Sequence, residues 1–426
     1  MLHEFYALAG FLSIVMCLSS YAIKTRLHLT DSLVALICGI FLKIVGIKVS
    51  IENEDFQLEF ARICVGLQVM TTGISLPENY IKKNWKSQMI LLGPVLTFGW
   101  LICSIFMMIV PNIEWLEALM ISACISPTDP VLANAITTGP FALKYIPESL
   151  RTLLSFESGA NDGLGYPFLF LPIYLYQLST AEAFTKWFHF IILYNVLLSI
   201  AIGAVIGFIL NKICKFSHSK NKLSFDYLEI FTVAVSITVL GIVGVANSDD
   251  ILAVFVCGVV FNRDGFLKKE WELDFAEGVD TLLNVVFFLF LGSILPIEEW
   301  VSSSYFQFSQ LFLISILVLL FKRLPIVLLY KFIPAIKNYK EAIFVQWFGP
   351  MGVSSLFYCL VLIKESSHMR DIAYPIVTFI IFMSVLLHGI SVPFILLSDK
   401  VATIFNVNCS LLWAPIDEET DQVHIA

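Results

Sequence analysis

The chain has 426 residues, of which 58% are apolar and only 14% charged, with a mean hydropathy of +0.84 and a formal net charge of −8. Soluble domains run at about 45–50% apolar and about 25% charged, so a cytosolic enzyme and a disordered scaffold are both excluded, and the acidic balance argues against nucleic acid. What remains is an all-α polytopic membrane protein, because a chain spanning lipid must satisfy its backbone internally and needs about 20 apolar residues per crossing. The nine cysteines are scattered singly with no C-x-x-C, which points to neither a zinc site nor a disulfide framework.

Apolar runs bounded by charges and turn residues predict about thirteen transmembrane helices, near 5–23, 30–47, 57–76, 87–110, 115–138, 149–176, 187–211, 226–246, 250–262, 279–296, 308–330, 341–363 and 372–397. The ninth is short, and twelve crossings result if it is re-entrant. No basic residue precedes the first run, whereas Lys24 and Arg26 follow it, so it reads as a retained span rather than a cleaved leader. With the N-terminus outside, eighteen of the 26 Lys and Arg residues fall on cytoplasmic segments, four on external ones and four within spans. This bias favours N-out, C-in. The tail from Asp399 reads as short, cytoplasmic and acidic at its end.

Ionisable groups at membrane depth are costly and mark function by default. In the fifth span, Ser126-Pro127-Thr128-Asp129-Pro130 sets two prolines around an aspartate. Pro127 and Pro130 each remove a backbone donor, so the helix should unwind there and turn its freed carbonyls and a carboxylate toward a cavity. In the sixth span, Glu157 and Asn161 are four apart, as are Ser158 and Asp162, so each pair shares a helix face. In the eleventh, Lys322-Arg323-Leu324-Pro325 carries a guanidinium that cannot deprotonate and needs an anion; Glu157 and Asp162 are the partners at hand, while Lys322 points about 100° elsewhere. In the twelfth, Gly349, Pro350 and Gly352 interrupt an apolar helix that carries no acid, offering backbone dipoles and close approach. Glu59 and Arg62 read as an i,i+3 pair, and His388 as a hydrogen-bonded packing residue.

The interrupted fifth and twelfth spans lie seven apart and so run in opposite directions. That is an inverted-topology repeat, spans 1–6 against 8–13, with the seventh as connector. The two broken helices could then cross at mid-depth, with Asp129 offsetting their positive N-terminal ends.

The runs SPTDPVLANAI, FESGANDGLGYPF, FFLFLGSILP (after Asn284-Val285-Val286) and FGPMGVSS resemble monovalent cation/proton antiporters, more narrowly the fungal plasma-membrane sodium/proton antiporters. The resemblance covers nearly the whole membrane part. It implies the sodium/proton antiporter fold: a dimerisation domain from residues 1–86 and, with the connector helix, 179–304; a core ion-transport domain from 87–178 and 305–398; a short tail at 399–426; and a homodimer. It places Thr128, Asp129, Ser158 and Asp162 as ion ligands, with Na+ held at Asp162 and Asp129. It pairs Glu157 with Arg323 and has Asn161 orient the site. Fungal members often carry a long hydrophilic tail, so tail-based regulation is not carried over to this chain.

The residues support the same chemistry on physical grounds. Desolvation disfavours a bare carboxylate, and either a proton or a cation on hard oxygen ligands relieves it. Competition for Asp162 gives obligatory exchange of Na+, and of Li+, for H+ across the bilayer, with no cofactor. Asn161-Asp162 in place of two adjacent aspartates implies electroneutral one-for-one exchange. A K+/H+ antiporter of the same fold is the alternative. An intramembrane aspartyl protease fits poorly: Asp162-Gly163-Leu164-Gly165 reverses the Gly-x-Gly-Asp order and no Pro-Ala-Leu is present. A passive channel would show flux indifferent to a pH gradient.

Overall fold

The computed structural model describes residues 29–45, 53–130, 132–133, 146–220, 228–266 and 274–404, with isolated positions of the first apolar run; residues 228–229, 274–280 and 392–404 contribute backbone alone. Every regular element among the described residues is a helix. In chain order these are α1 (Asp31–Ile44), α2 (Glu54–Ser75), α3 (Tyr80–Met107), α4 (Trp115–Cys124), α5 (Glu148–Gly163), α6 (Gly165–Gln177), α7 (Thr180–Ser219), α8 (Leu228–Val245), α9 (Asp250–Phe261), α10 (Asp274–Ile294), α11 (Ile297–Ser302), α12 (Phe308–Phe321), α13 (Leu324–Leu329), α14 (Tyr339–Trp347), α15 (Val353–Glu365) and α16 (Arg370–Ile404). The expected spans from the second to the thirteenth all carry helix. Most of the first span, the later part of the fifth and the tail from 405 lie outside the described residues.

Local chemistry sets the helix ends. Thr30 and Asn338 accept from the first-turn amides of α1 and α14, and Ser179 with Glu182 forms a capping box at the start of α7. This cap starts α7 seven residues before the apolar run begins. The helix then continues to Ser219, because Lys212 and Lys215 are good helix formers that carry it past the apolar run. Pro94 lies inside a π-helical turn, Leu91–Val95, that lets α3 continue past the missing N–H.

Among the described residues, four helices are long and apolar enough to cross a membrane: Tyr80–Met107, Thr180–Ser219, Phe308–Phe332 and Ser367–Ser391. Other crossings are assembled from shorter or broken pieces. The sixth span divides at Gly163-Leu164-Gly165, and even the long Phe308–Phe332 segment turns at Lys322-Arg323 before resuming with Pro325 in the first turn of α13. α7 leaves large apolar side chains such as Phe188, Phe208 and Ile213 exposed, the surface that lipid covers, whereas α15 is buried along almost its full length.

Lipid gives helices no hydrophobic reason to associate, so close packing must do it. α1 and α10 meet backbone to backbone where Gly39 faces Gly292; a Cβ on Gly39 would lie 2.9 Å from the Gly292 Cα. α9 sits inside the bundle against α2, α5 and α7. Its Leu252 and Phe255 press on Gly163 and Gly159 of α5, which brings a smooth apolar face directly behind the polar cluster of the sixth span.

Candidate functional site

The first break begins at Ile125. Residues Ser126 to Asp129 are not helical, and helix resumes at Pro130. Asp129 followed by Pro130 is N-cap followed by N1, the order in which an acid and a proline open a helix. Asp129 Oδ1 accepts from the Leu132 amide at 2.9 Å, and the side chain is fully buried.

The second break runs from Phe348 to Gly352, between α14 and α15. It is tied directly to the first. The Asp129 amide donates to the Pro350 carbonyl at 2.8 Å, and the Val353 amide donates to Asp129 Oδ2 at 3.0 Å. One carboxylate therefore caps two half-helices at once and offsets both positive ends. Gly352 makes the approach possible, since a Cβ there would overlap Asp129 Oδ2; a Cβ on Gly349 would overlap the Arg323 side chain. From α16, Ser384 Oγ accepts from the Met351 amide (2.8 Å) and His388 Nε2 meets the Trp347 carbonyl (2.8 Å), so both ends of the second break are held.

α5 brings the remaining residues in. The Thr128 amide donates to Asn161 Oδ1 (3.0 Å), Asn161 Nδ2 donates to Thr128 Oγ1 (2.9 Å), and that hydroxyl also shares a hydrogen bond with Ser158 Oγ (2.9 Å). Asn161 thus fixes the unwound strand of the first break. Arg323 Nη2 pairs with Glu157 Oε2 at 2.5 Å, both side chains about 5% exposed. Lys322 is equally buried and donates to the Pro127 carbonyl at 2.9 Å.

Asp162 is different. It is wholly buried, and neither carboxylate oxygen has a hydrogen-bond partner among the described residues. The Ser354 hydroxyl of α15 faces it, also unpartnered and short of bonding geometry. Tyr358, one turn on, donates to the Asp162 backbone carbonyl at 2.6 Å. A dry carboxylate with no donor is costly while charged, and a bound proton or cation removes that cost. The surrounding oxygens are carboxylate and hydroxyl, hard ligands suited to an alkali cation. Sequence reasoning brought in Asp129, Glu157, Ser158, Asn161, Asp162 and Arg323. It missed Ser354 and Tyr358, whose signal was a pair of serines and a tyrosine one turn beyond a Gly-Pro break, and it left Lys322 without a task.

A helical membrane chain in which two broken helices cross around an unpartnered buried carboxylate has the architecture on which secondary transporters build ion sites. Residues 12–398 match the family model for the transmembrane region of sodium/hydrogen exchangers, and the chain belongs to that family. It is 34% identical to a probable Na(+)/H(+) antiporter of Schizosaccharomyces pombe, over 94% of this chain and 57% of that protein. It is also 34% identical to Na(+)/H(+) antiporter 2 of Zygosaccharomyces rouxii (94% and 54%) and to the Na(+)/H(+) antiporter of Saccharomyces cerevisiae (94% and 44%). The chain spans about half the length of these relatives. The fold matches that of the sodium proton antiporter MjNhaP1 of Methanocaldococcus jannaschii, with a TM-score of 0.66 at 18% identity, covering 91% of this chain and 99% of that one.

Proposed function

We propose that this chain exchanges Na+, and also Li+, for H+ across a membrane by alternating access, one ion for one proton. The observation that carries the reading is the pair of unpartnered oxygens on Asp162, buried where the two broken helices cross. Asp162 holds either the proton or the cation. Thr128, Ser158 and Ser354 supply hydroxyl oxygens, and Asp129 contributes its negative charge while its oxygens cap the half-helices. Glu157 is paired with Arg323 and both oxygens of Asp129 cap half-helices, so one carboxylate is left to hold the proton or the cation, which favours electroneutral exchange. The sodium and the proton are carried over from the relatives, which are named as Na(+)/H(+) antiporters.

In this reading residues 87–178 and 305–398 form the moving core, and 1–86 with 179–304 form the dimerisation face of a homodimer. The protein sits in the plasma membrane, N-terminus outside, exporting sodium and supporting pH and salt tolerance. The test is purified protein in liposomes holding a pH-sensitive dye, challenged with Na+, Li+ and K+ in turn. Dequenching by Na+ and Li+ that is indifferent to a clamped potential is expected. No cation-dependent proton movement would overturn the reading, a response to K+ alone would reassign the ion, and a sodium flux that follows the potential would contradict one-for-one exchange.

A further inference from the structure

Lys322 lies deep in the bundle, 5% exposed, and the exchange chemistry above gives it no part. Its place is built. The turn at Lys322-Arg323 interrupts the eleventh span, and Gly99 of α3 lets the Lys322 carbonyl press against that helix, where a Cβ would lie 2.6 Å away. The amine is delivered to the Pro127 carbonyl, inside the first break and two residues before Asp129. A space of about 10 Å³, room for about one water, is lined by Lys322 and Arg323 together with Ser126, Thr128 and Glu157. Lys322 is within electrostatic reach of both Asp162 and Glu157, and Asp129 is within reach of Asp162.

Three acids, Asp129, Glu157 and Asp162, and two bases, Lys322 and Arg323, therefore meet around the crossing. Arg323 answers Glu157 directly. We infer that Lys322 is the fixed countercharge of the first break: it answers Asp129 through the Pro127 carbonyl, so that a single monovalent cation or proton on Asp162 leaves the loaded core neutral. This rests on Asp162 being the exchange carboxylate. It makes Lys322 a positioning and charge-setting residue that does not touch the ion.

Removing its charge has two opposite effects. Asp162 then sits in a more negative surround, so a cation binds more tightly. The loaded core keeps one uncompensated charge, so its passage across the apolar barrier slows. A merely structural lysine would give weaker binding and slower exchange together.

The experiment compares wild type, Lys322→Met and Lys322→Arg, titrated with NaCl in a choline background by calorimetry at alkaline pH and assayed for exchange in liposomes. Lys322→Met is expected to bind Na+ about five- to tenfold more tightly while turnover falls at least tenfold, and Lys322→Arg is expected to restore both. A folded Lys322→Met with native or weaker Na+ affinity would overturn the inference, as would Lys322→Arg behaving like the methionine variant. Unaltered protein gives a second reading that needs no variant. With Lys322 a fixed charge, Na+ binding displaces at most one proton per ion, counted from heats in buffers of different ionisation enthalpy, and two displaced protons would refute it. Wild type that binds no Na+ at all would sink the exchange reading itself rather than this one.

Discussion

Gly352→Ala tests the crossing at its tightest point. The added methyl would overlap Asp129 Oδ2, the oxygen that accepts from the Val353 amide at 3.0 Å. The carboxylate cannot simply swing aside, because its other oxygen caps the turn at Leu132 and its own amide is held by Pro350. Losing one hydrogen bond to a charged acceptor costs about 1.5–3 kcal/mol. Forcing a methyl into a filled space costs about 1–3 kcal/mol more. The expected destabilisation is therefore about 2.5–6 kcal/mol, with exchange lost even in the fraction that survives purification. Gly241→Ala in α8 is the control, since nothing lies within 4 Å of a Cβ there; helix propensity alone makes that change neutral or stabilising by roughly 0.5–1 kcal/mol. Thermal unfolding of both variants in detergent, with sodium-dependent proton flux in liposomes, makes the comparison. Native melting and native flux in Gly352→Ala would refute the claim that one carboxylate holds both half-helices.

Two further predictions separate holding from exchanging. Asp162→Asn removes a charge that no described residue satisfies, so the protein should melt at or above the wild-type temperature while sodium-dependent proton flux disappears; residual exchange would take Asp162 out of the mechanism. Arg323→Met strands Glu157 in the interior and should cost about 3–5 kcal/mol, and adding Glu157→Gln should recover most of that; a double variant as unstable as the single one would show that the 2.5 Å pair is not what the stability depends on.

Much of this arrangement was readable in the chain. Hydropathy located the spans because lipid permits few alternatives, and the two breaks declared themselves through Pro127, Pro130 and Pro350, which cannot donate within a helix. Spacing of four put Glu157 with Asn161 and Ser158 with Asp162. Other features depended on distance in sequence. That Lys322 reaches Pro127, 195 residues earlier, follows from how α12 turns at its end and from the room left by Gly99, neither of which has a periodic signature. The partition of Asp129, one oxygen to Leu132 and the other to Val353, was half visible: Asp-Pro announces a helix start, but the second helix arrives from 224 residues away. The interruption at Gly163-Leu164-Gly165 was hidden because the apolar run resumes at once and continues to Tyr176, and only the paired glycines hinted at it.

The double cap has a mechanical corollary. Because Asp129 is bonded to the amides of both half-helices, drawing them apart would strand a carboxylate oxygen in a dry interior, and no oily side chain nearby could take up the loss. The crossed pair behaves as a single rivet. Any movement that uncovers Asp162 to one bath and then the other must carry the rivet whole, and the slack has to come from a greased bearing such as Leu252 and Phe255 sliding on the bare backbone of Gly163 and Gly159.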